Sequence, residues 1–513
     1  MLSAGRHISE RLGATPRDDG SVAFRVWAPG RSAVAVRFRD DEHELERADD
    51  GFWEAAVAAA PGDDYVYVLD GGERRPDPCS RFQPEGVRGP SRIVDTAAFE
   101  WADDDWDGLG LDELVVYELH VGTFTDDGTF DAVVPHLREL RELGVTAIQL
   151  MPVATFPGNR GWGYDGVYAY APHPAYGGPE ALARLVDAAH REGLGVLLDV
   201  VYNHLGPGSE AIGAFAPYFT DRHETPWGAA IDYAQDGVRE WAIQNACAWV
   251  RDYHVDGLRL DAVFAVYDDG PRHVLAELAE RVHEENPHAL VVSETHVDDR
   301  RPLEEWGHDA QWSDEHHHAL HVLLTGEREG YYEPYGKVEQ LARALQRPER
   351  ERLVAYAQNH DQVGNRAAGD RLTREQLRVA AHCTLLSPST PLLFMGEEYG
   401  EERPFRFFTD HLDPVVAEAT RRGRREDFAG FRGFAAEDVP DPQDPGTFES
   451  SRLAPERGDA DLRECYRELL RLRRDLPPEV EIEFSEEPRR LRLRRGELEL
   501  AVDFDRLSVE IRR

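Results

Sequence analysis

The segment GVLLDVVYNH, residues 195–204, joins an apolar run to a polar end, and the predicted fold depends on it. A run as apolar as this one predicts a strand that is buried on both faces, which is typical of the parallel sheets of α/β proteins. Asp199 lies inside the run, and Asn203 and His204 follow it. The carboxyl ends of parallel strands carry the binding and catalytic groups in such proteins, so we expect a site there.

Similar segments recur along the chain. They are LVVYELHVG (114–122), VTAIQLMPV (145–153), VDGLRLDAV (255–263), LVVSETH (290–296), LVAYAQNHD (353–361) and TPLLFMGEE (390–398), with a weaker one at DAQWSDE (309–315). Amphipathic helices lie between them, since apolar residues recur at i, i+3, i+4 and i+7 in Leu182, Leu185, Val186 and Ala189 and in Leu275, Leu278, Ala279 and Val282. Eight strands alternating with helices favour a closed (β/α)8 barrel. No glycine-rich dinucleotide turn follows the first strand to support an open sheet.

The barrel is flanked by two β regions, which makes the chain a multidomain α/β protein. Short alternating strands from about Gly5 to Asp95 predict an N-terminal β-sandwich of the immunoglobulin-like, carbohydrate-binding type over residues 1–96. A linker rich in proline, glycine and aspartate opens the barrel domain, 97–476, which the helix DLRECYRELLRLRRDL (461–476) closes. Residues 477–513 form a small C-terminal β domain, too short to be expected to fold alone.

The amino-acid composition indicates which binding partners and which cellular compartment to expect. The 98 acidic and 58 basic residues leave a net charge of −40, which disfavours binding to nucleic acid and to anionic membranes. We expect a halophilic protein, since concentrated salt screens carboxylate repulsion; the alternative is an acidic enzyme from an arginine-rich, lysine-poor genome. The four cysteines show no CxxC spacing, and the N-terminal MLSAGRHISERLG lacks a leader pattern, so a cytoplasmic location is predicted.

Three carboxylates follow different predicted strands, and in a barrel they would meet at one mouth. They are Asp261, Glu294 and Asp361, and Arg259 lies two residues before Asp261 on the same strand face. Taken singly, each is more simply a helix cap or a solvated loop residue. Together they suit glycoside hydrolysis, in which one carboxylate attacks the anomeric carbon and a protonated one serves as acid. On this reasoning Arg259 keeps the nucleophile ionised and the acid lacks such a partner.

The order DVVYNH, GLRLDAV, SE and NHD resembles the α-amylase superfamily over nearly the whole chain. Longer strings are similar to the maltooligosyltrehalose trehalohydrolase family: DPCSRFQPEGVRGPS, GYDGVYAYAPHPAYGGP, HHALHVLLTGEREGYY, AQNHDQVGNRAAGDRL and FFTDHLDP. The resemblance implies Asp261 as nucleophile, Glu294 as acid/base and Asp361 as the residue that holds the ring hydroxyls. It also implies substrate contacts from Tyr164, His204, Arg259 and His360, with Tyr164 stacking on the sugar at the cleavage site.

The resemblance further implies the reaction. Members of this family cleave the α-1,4 bond next to the terminal trehalose of maltooligosyl trehalose, with retention of configuration, and a maltooligosyltrehalose synthase is the implied functional partner. We predict no cofactor and no metal; the alternative is a calcium site formed by Asn203 and nearby carboxylates, but no dense loop of aspartate and asparagine supports it. Two departures concern the substrate contacts: Phe264 stands where the family usually has histidine, and SETHVDDRR replaces an acidic continuation after Glu294.

Other functions stay open at this point. Glycogen branching and debranching enzymes share the chemistry and the N-terminal sandwich, and a non-catalytic glucan-binding protein is a remote alternative. Four aromatic residues, Trp162, Trp312, Tyr331 and Tyr332, could offer flat faces to glucose rings, or could be core and loop aromatics. We favour sugar contacts for Trp162 and Tyr332.

Overall fold

The computed structural model describes residues 11–428 and 439–512. The remaining residues are 1–10, 429–438 and 513. The predicted start of the sandwich near Gly5 and most of the segment MLSAGRHISERLG therefore lie outside the described residues.

Eight parallel strands close into a barrel, which confirms the predicted fold. In chain order they are Val116–Leu119, Ala147–Leu150, Gly195–Val200, Gly257–Leu260, Leu290–Ser293, Ala310–Trp312, Leu353–Tyr356 and Thr390–Phe394. The first and last strands pair in register, with Val116 opposite Leu392. All residues of these strands are buried, because helices cover the outside and apolar side chains fill the inside.

Helices lie between the barrel strands and after the last of them. The longer ones are Leu137–Leu143, Gly178–Arg191, Asp236–Tyr253, Val274–Glu285, Asp314–Thr325, Val338–Leu345, Arg374–Leu385, Pro414–Phe428 and Ala460–Arg473. Both predicted apolar stripes are buried, at Leu182 to Ala189 and at Leu275 to Val282. The helix predicted to close the barrel domain is also present, as Ala460–Arg473.

The N-terminal region forms two facing antiparallel sheets, as predicted. Their strands are Gly13–Pro16, Val22–Trp27, Glu46–Arg47 and Phe52–Val57 in one, and Val34–Phe38, Asp41–Glu44, Asp64–Leu69, Glu73–Arg75 and Ser91–Arg92 in the other. Trp27 from this sandwich packs on the barrel helix that begins at Asp236. Gly237 makes this possible, since a Cβ at that position would lie 2.2 Å from the indole ring. The sandwich is therefore seated on the barrel through a close aromatic contact.

The C-terminal strands form one four-stranded antiparallel sheet that packs on the barrel domain. They are Glu481–Glu486, Arg489–Arg495, Leu498–Asp503 and Ser508–Arg512. The Glu486 carboxylate accepts hydrogen bonds from the backbone N–H groups of Val338 and Glu339 at the start of a barrel helix, at 3.1 and 3.0 Å. Arg495 donates to the carbonyl oxygen of Ser387 at 2.6 Å. The sheet is thus an appendage tied to the barrel.

Within the described ranges, the structure contains no helix with the length and apolarity needed to cross a membrane. All four cysteines are free, and Cys79, Cys247 and Cys383 are buried.

The excess of acidic residues leads to a prediction about salt. We expect the melting temperature to rise by at least about 5 °C between dilute buffer and about 1 M KCl, because the Debye length then falls to about 3 Å and carboxylate repulsion is screened. Differential scanning calorimetry with a nonionic osmolyte as control measures this. Equal stability and activity in dilute buffer would rule out a halophilic protein and favour the alternative of an ordinary acidic enzyme.

Candidate active site

A fully buried arginine organises the carboxyl ends of the central strands. Arg259 donates from Nη1 to Asp261 Oδ1 at 2.8 Å and to Asp199 Oδ2 at 2.7 Å, and from Nη2 to Glu294 Oε2 at 2.6 Å. The Trp312 ring lies against the guanidinium, with the carbon Cζ 4.3 Å from the ring centroid. One cation therefore holds carboxylates from the third, fourth and fifth strands in one place.

The structure differs from the sequence reasoning about the acid. Glu294 does have a cationic partner, because Arg259 donates to Asp261 from Nη1 and to Glu294 from Nη2. Glu294 also accepts a hydrogen bond from the backbone N–H of Ala262 at 2.9 Å. Burial nevertheless raises the pKa of Glu294, since removing water from the charged form outweighs the attraction of Arg259. A raised pKa favours the protonated carboxyl, which is the form that a general acid requires.

The three predicted carboxylates are the exposed part of the cluster. Side-chain exposure is 9% for Asp261, 20% for Glu294 and 30% for Asp361, whereas Asp199 and Arg259 have none. The reachable carboxylates therefore line the mouth, and the other two groups support them from below.

Asp261 is held from a second side by an amide. Asn203 Nδ2 donates to Asp261 Oδ2 at 2.8 Å and to its backbone oxygen at 3.0 Å. The next residue, His204, contacts the amide oxygen Oδ1 of Asn203 through its ring nitrogen Nδ1. Burial lowers the pKa of His204 to about 4, so this ring is neutral over the ordinary pH range. The segment that opened the sequence analysis thus fixes the rotamer of Asp261.

His360 and Tyr164 form a second chain of contacts next to Asp361. Tyr164 Oη lies 2.7 Å from Asp199 Oδ2 and 2.6 Å from His360 Nε2, and its ring stacks on the imidazole with centroids 5.1 Å apart. His360 Nδ1 is 2.7 Å from Glu118 Oε1. Burial favours neutral His360, but the Glu118 and Asp361 carboxylates outweigh it and raise the pKa to about 9. The imidazolium then donates to both Glu118 and Tyr164.

Sequence reasoning missed two carboxylates of this region. Glu118 lies inside the first strand with no exposure, and Asp314 lies two residues after the sixth strand and is half-buried. A signal for Glu118 was present, since one charge within an apolar strand requires a buried partner. Asp314 had a weaker signal, since it follows the segment around Trp312 that was predicted as the weakest strand and that is only three residues long in the structure.

The predicted aromatic platforms are mostly packed inside. Trp162 is 5% exposed and stacks on Phe405, Trp312 is 3% exposed, and Tyr332 is 3% exposed. The expectation that Trp162 and Tyr332 offer open faces to sugars is therefore wrong, whereas Tyr331 is 50% exposed. Phe264 stacks on His296 with centroids 4.0 Å apart, in keeping with an apolar surface at this position.

No cluster of three or more histidine, cysteine or acidic side chains in the described ranges is arranged to hold a metal ion. Asn203, which with nearby carboxylates was the alternative calcium site, donates its amide nitrogen to Asp261.

Asp361 provides a direct test of the site. We expect Asp361→Asn to lower kcat by about 10²- to 10³-fold, since it removes a charge from the mouth of the site while the amide keeps the size of the side chain. Kinetics together with circular dichroism and a melting curve check this. The control is Asp298→Asn, an exposed carboxylate after the fifth strand. A fully active Asp361→Asn variant would refute the assignment.

Comparison with known proteins relates this geometry to characterised families. The model for the alpha amylase catalytic domain matches residues 90–217 and 223–425, and that for carbohydrate-binding module 48, the isoamylase N-terminal domain, matches 11–80. The malto-oligosyltrehalose trehalohydrolase of Deinococcus radiodurans is 46% identical, covering 91% of this chain and 83% of that protein. The enzyme of the same name from Saccharolobus solfataricus is 40% identical, covering 89% and 86%.

Further matches show how far the similarity to other alpha amylases extends. A crystal structure of a putative alpha amylase from Salmonella typhimurium superposes with a TM-score of 0.89 at 38% identity, covering 96% of this chain and 93% of that one. A 1,4-alpha-glucan branching enzyme of Corynebacterium jeikeium is 31% identical but covers only 57% of this chain. A pullulanase from Anoxybacillus, solved with maltotetraose, has a TM-score of 0.74 at 18% identity and so shares the fold.

Proposed function

The chain belongs to the malto-oligosyltrehalose trehalohydrolase family of the alpha amylases, and on that premise we propose that it releases free trehalose from maltooligosyl trehalose by hydrolysing the α-1,4 bond beside the terminal trehalose. The observation that carries this proposal is the single guanidinium of Arg259 that contacts both Asp261 and Glu294. Such sharing holds the two carboxylates close together, and a retaining mechanism needs them about 5 Å apart rather than 6.5–9.5 Å.

In the proposed first step, an Asp261 oxygen attacks the anomeric carbon while the Glu294 carboxyl gives its proton to the glycosidic oxygen. The C–O bond breaks, trehalose leaves, and the shortened glucan is bound covalently to Asp261. In the second step, Glu294 takes a proton from water, whose oxygen attacks the same carbon and frees Asp261. Two inversions give net retention of the α configuration.

The supporting groups have roles that follow from their contacts. Arg259 and Asn203 fix the orientation of Asp261, since both donate to its carboxylate oxygens. Asp361, beside charged His360, would accept hydrogen bonds from ring hydroxyls and stabilise positive charge on the sugar in the transition state. Tyr164 and His204 would contact the same ring.

Product analysis tests the function. We expect the purified protein, in about 1 M KCl, to produce trehalose from maltooligosyl trehalose and almost no product from a plain maltooligosaccharide of equal length. Chromatography with authentic standards measures both. Branched or generally shortened glucan would keep the alpha amylase chemistry and point to the branching or debranching alternative, and binding without turnover would indicate a glucan-binding protein.

Three further proposals accompany this function. We propose that a maltooligosyltrehalose synthase supplies the substrate, which coupled assays with and without direct mixing of the two enzymes would test.

A cytoplasmic location is proposed from the free, mostly buried cysteines, and fractionation tests it. The division into domains 1–96, 97–476 and 477–513 is proposed from the strand groups, and limited proteolysis would locate the boundaries.

A further inference from the structure

A buried carboxylate on the first barrel strand has no role in the mechanism above. Glu118 belongs to the strand Val116–Leu119 and has no exposed surface. It accepts two hydrogen bonds from one residue: the His360 backbone N–H donates to Oε2 at 2.8 Å, and the ring nitrogen Nδ1 donates to Oε1 at 2.7 Å. Glu118 thus holds one edge of the imidazole, and Nε2 on the other edge faces Tyr164 and Asp361.

The burial of Glu118 indicates that His360 is protonated on both ring nitrogens. A carboxylate only accepts hydrogen bonds, so the contact places a proton on Nδ1, which a neutral imidazole could also supply. A carboxylate removed from water, however, requires a nearby positive charge. Among the residues that the structure describes, His360 is the one basic side chain in ion-pair contact with Glu118. The charge that balances Glu118 is therefore the second proton of His360, on Nε2.

The other groups around His360 do not replace Glu118. Besides Tyr164, the charged or titratable groups that face the ring are Glu118, Asp199, Glu294, Asp361, Arg259 and His120. Asp199 and Glu294 are already paired with Arg259. Asp361 Oδ2 lies 3.5 Å from Nε2, and its side chain is 30% exposed, so water weakens its effect. Burial lowers the pKa of His120 to about 4, which leaves that ring neutral.

The proton on Nε2 sets the direction of a chain of hydrogen bonds. His360 Nε2 lies 2.6 Å from Tyr164 Oη, which lies 2.7 Å from Asp199 Oδ2. A tyrosine hydroxyl has one proton to donate. When charged His360 donates to Tyr164, the Tyr164 proton goes to Asp199, which also accepts from Arg259 Nη1 at 2.7 Å. Every donor from Glu118 to Arg259 then has an acceptor.

Loss of this proton would reverse part of the chain. A neutral His360 that still donates to Glu118 has an acceptor at Nε2, so Tyr164 would donate to the ring and Asp199 would lose its hydroxyl donor. Asp361 would at the same time lose the positive charge at 3.5 Å. Both changes reach the site of the reaction, because Asp199 supports Arg259 and Asp361 is proposed to bind the ring hydroxyls.

We propose that Glu118 is a positioning residue that keeps His360 a cation during turnover and thereby fixes the direction of the hydrogen bonds from His360 through Tyr164 to Asp199. Glu118 does not touch the substrate, since it has no exposed surface, and it acts through His360. The effect on turnover rests on the proposed function, whereas the charge on His360 can be measured without any turnover.

Nuclear magnetic resonance of the full chain, with histidine labelled by ¹³C at Cε1, reads the charge of His360, whose signal is identified by its loss in His360→Gln. Burial opposes the charge, but the carboxylates raise the pKa of His360 to about 9, and the wild-type signal should titrate there. In Glu118→Gln the midpoint should fall by about one pH unit or more, since an amide carries no charge. The matched control is Asp309→Asn at the start of the sixth strand, which removes the carboxylate 3.0 Å from His283 Nε2 and should leave His360 unchanged.

The pH profile shows whether this charge matters for turnover. α-Maltotriosyl fluoride loses fluoride without a proton from Glu294, so on this donor the alkaline limb of kcat/KM reports His360. In Glu118→Gln that limb should move to lower pH by the same amount as the titration midpoint. Above both midpoints kcat/KM should be lower by about tenfold for each pH unit of the shift. A residue that only fills space would lower kcat/KM by the same factor at every pH.

A fall of less than one pH unit in the His360 midpoint of Glu118→Gln, or a limb that stays in place while the midpoint moves, would overturn the proposal. Wild-type protein that cleaves the fluoride but releases no trehalose from maltooligosyl trehalose would overturn the proposed function instead. Should Glu118→Gln fail to fold, the wild-type titration decides. A midpoint at or below the ordinary histidine value of about 6.5 overturns the role of Glu118, and a higher one supports it.

Discussion

Asp261→Asn is expected to lower kcat on maltooligosyl trehalose by about 10⁴-fold or more, because an amide cannot attack the anomeric carbon and no covalent intermediate can form. The fold should persist, since the amide oxygen still accepts from Arg259, which donates to Asp261 Oδ1 at 2.8 Å in the native chain. Steady-state kinetics and a melting curve measure both effects. Asp269→Asn is the control, an exposed carboxylate in the loop after the same strand.

Azide distinguishes a missing nucleophile from a merely damaged site. In Asp261→Gly, azide can enter the vacated space, attack the anomeric carbon of an α-glycosyl fluoride from the nucleophile's face and expel fluoride, which gives a β-glycosyl azide. Nuclear magnetic resonance of the product shows its configuration. An α-glycosyl azide, or full activity in Asp261→Asn, would assign the nucleophile to another residue.

The strands could be predicted because parallel strands in a barrel are apolar throughout and end in polar residues. Even the three-residue sixth strand, Ala310–Trp312, left a recognisable trace, although Gln311 weakened it. The convergence of Asp261, Glu294 and Asp361 followed from topology alone, since carboxyl ends of neighbouring strands share one face. The two-residue spacing of Arg259 and Asp261 likewise predicted their contact, which is 2.8 Å.

Exposure and shared partners could not be predicted in the same way. Trp312 follows a polar residue near a strand end, yet it lies beneath Arg259 as a buried ring, and only three-dimensional packing decides this. The contact between Glu294 and Arg259 could not be predicted either, because it depends on one guanidinium donating to carboxylates that follow two different strands. Residues that act through another residue, such as Glu118 beneath His360, leave no spacing pattern in the sequence.

Glu294→Gln is expected to lower kcat/KM on maltooligosyl trehalose by about 10³- to 10⁴-fold, because trehalose is a poor leaving group without a proton from the acid. On an α-glycosyl fluoride the loss in bond cleavage should be far smaller, since fluoride departs without protonation. The pH profile should change too. Burial raises the pKa of Glu294, so wild-type activity falls as pH rises through that raised pKa, and this alkaline limb should vanish in the variant.

The pattern across substrates separates an acid from a structural carboxylate. If Glu294 only held Arg259 in position, Glu294→Gln would slow the cleavage of both donors by the same factor and leave the shape of the pH profile unchanged. The contact makes this a real alternative, since Arg259 Nη2 lies 2.6 Å from Glu294 Oε2. Azide adds a second criterion: with Glu294→Ala, the Asp261-bound intermediate should be intercepted from the opposite face to give an α-glycosyl azide. Equal losses on both donors and no azide product would remove Glu294 from the chemistry.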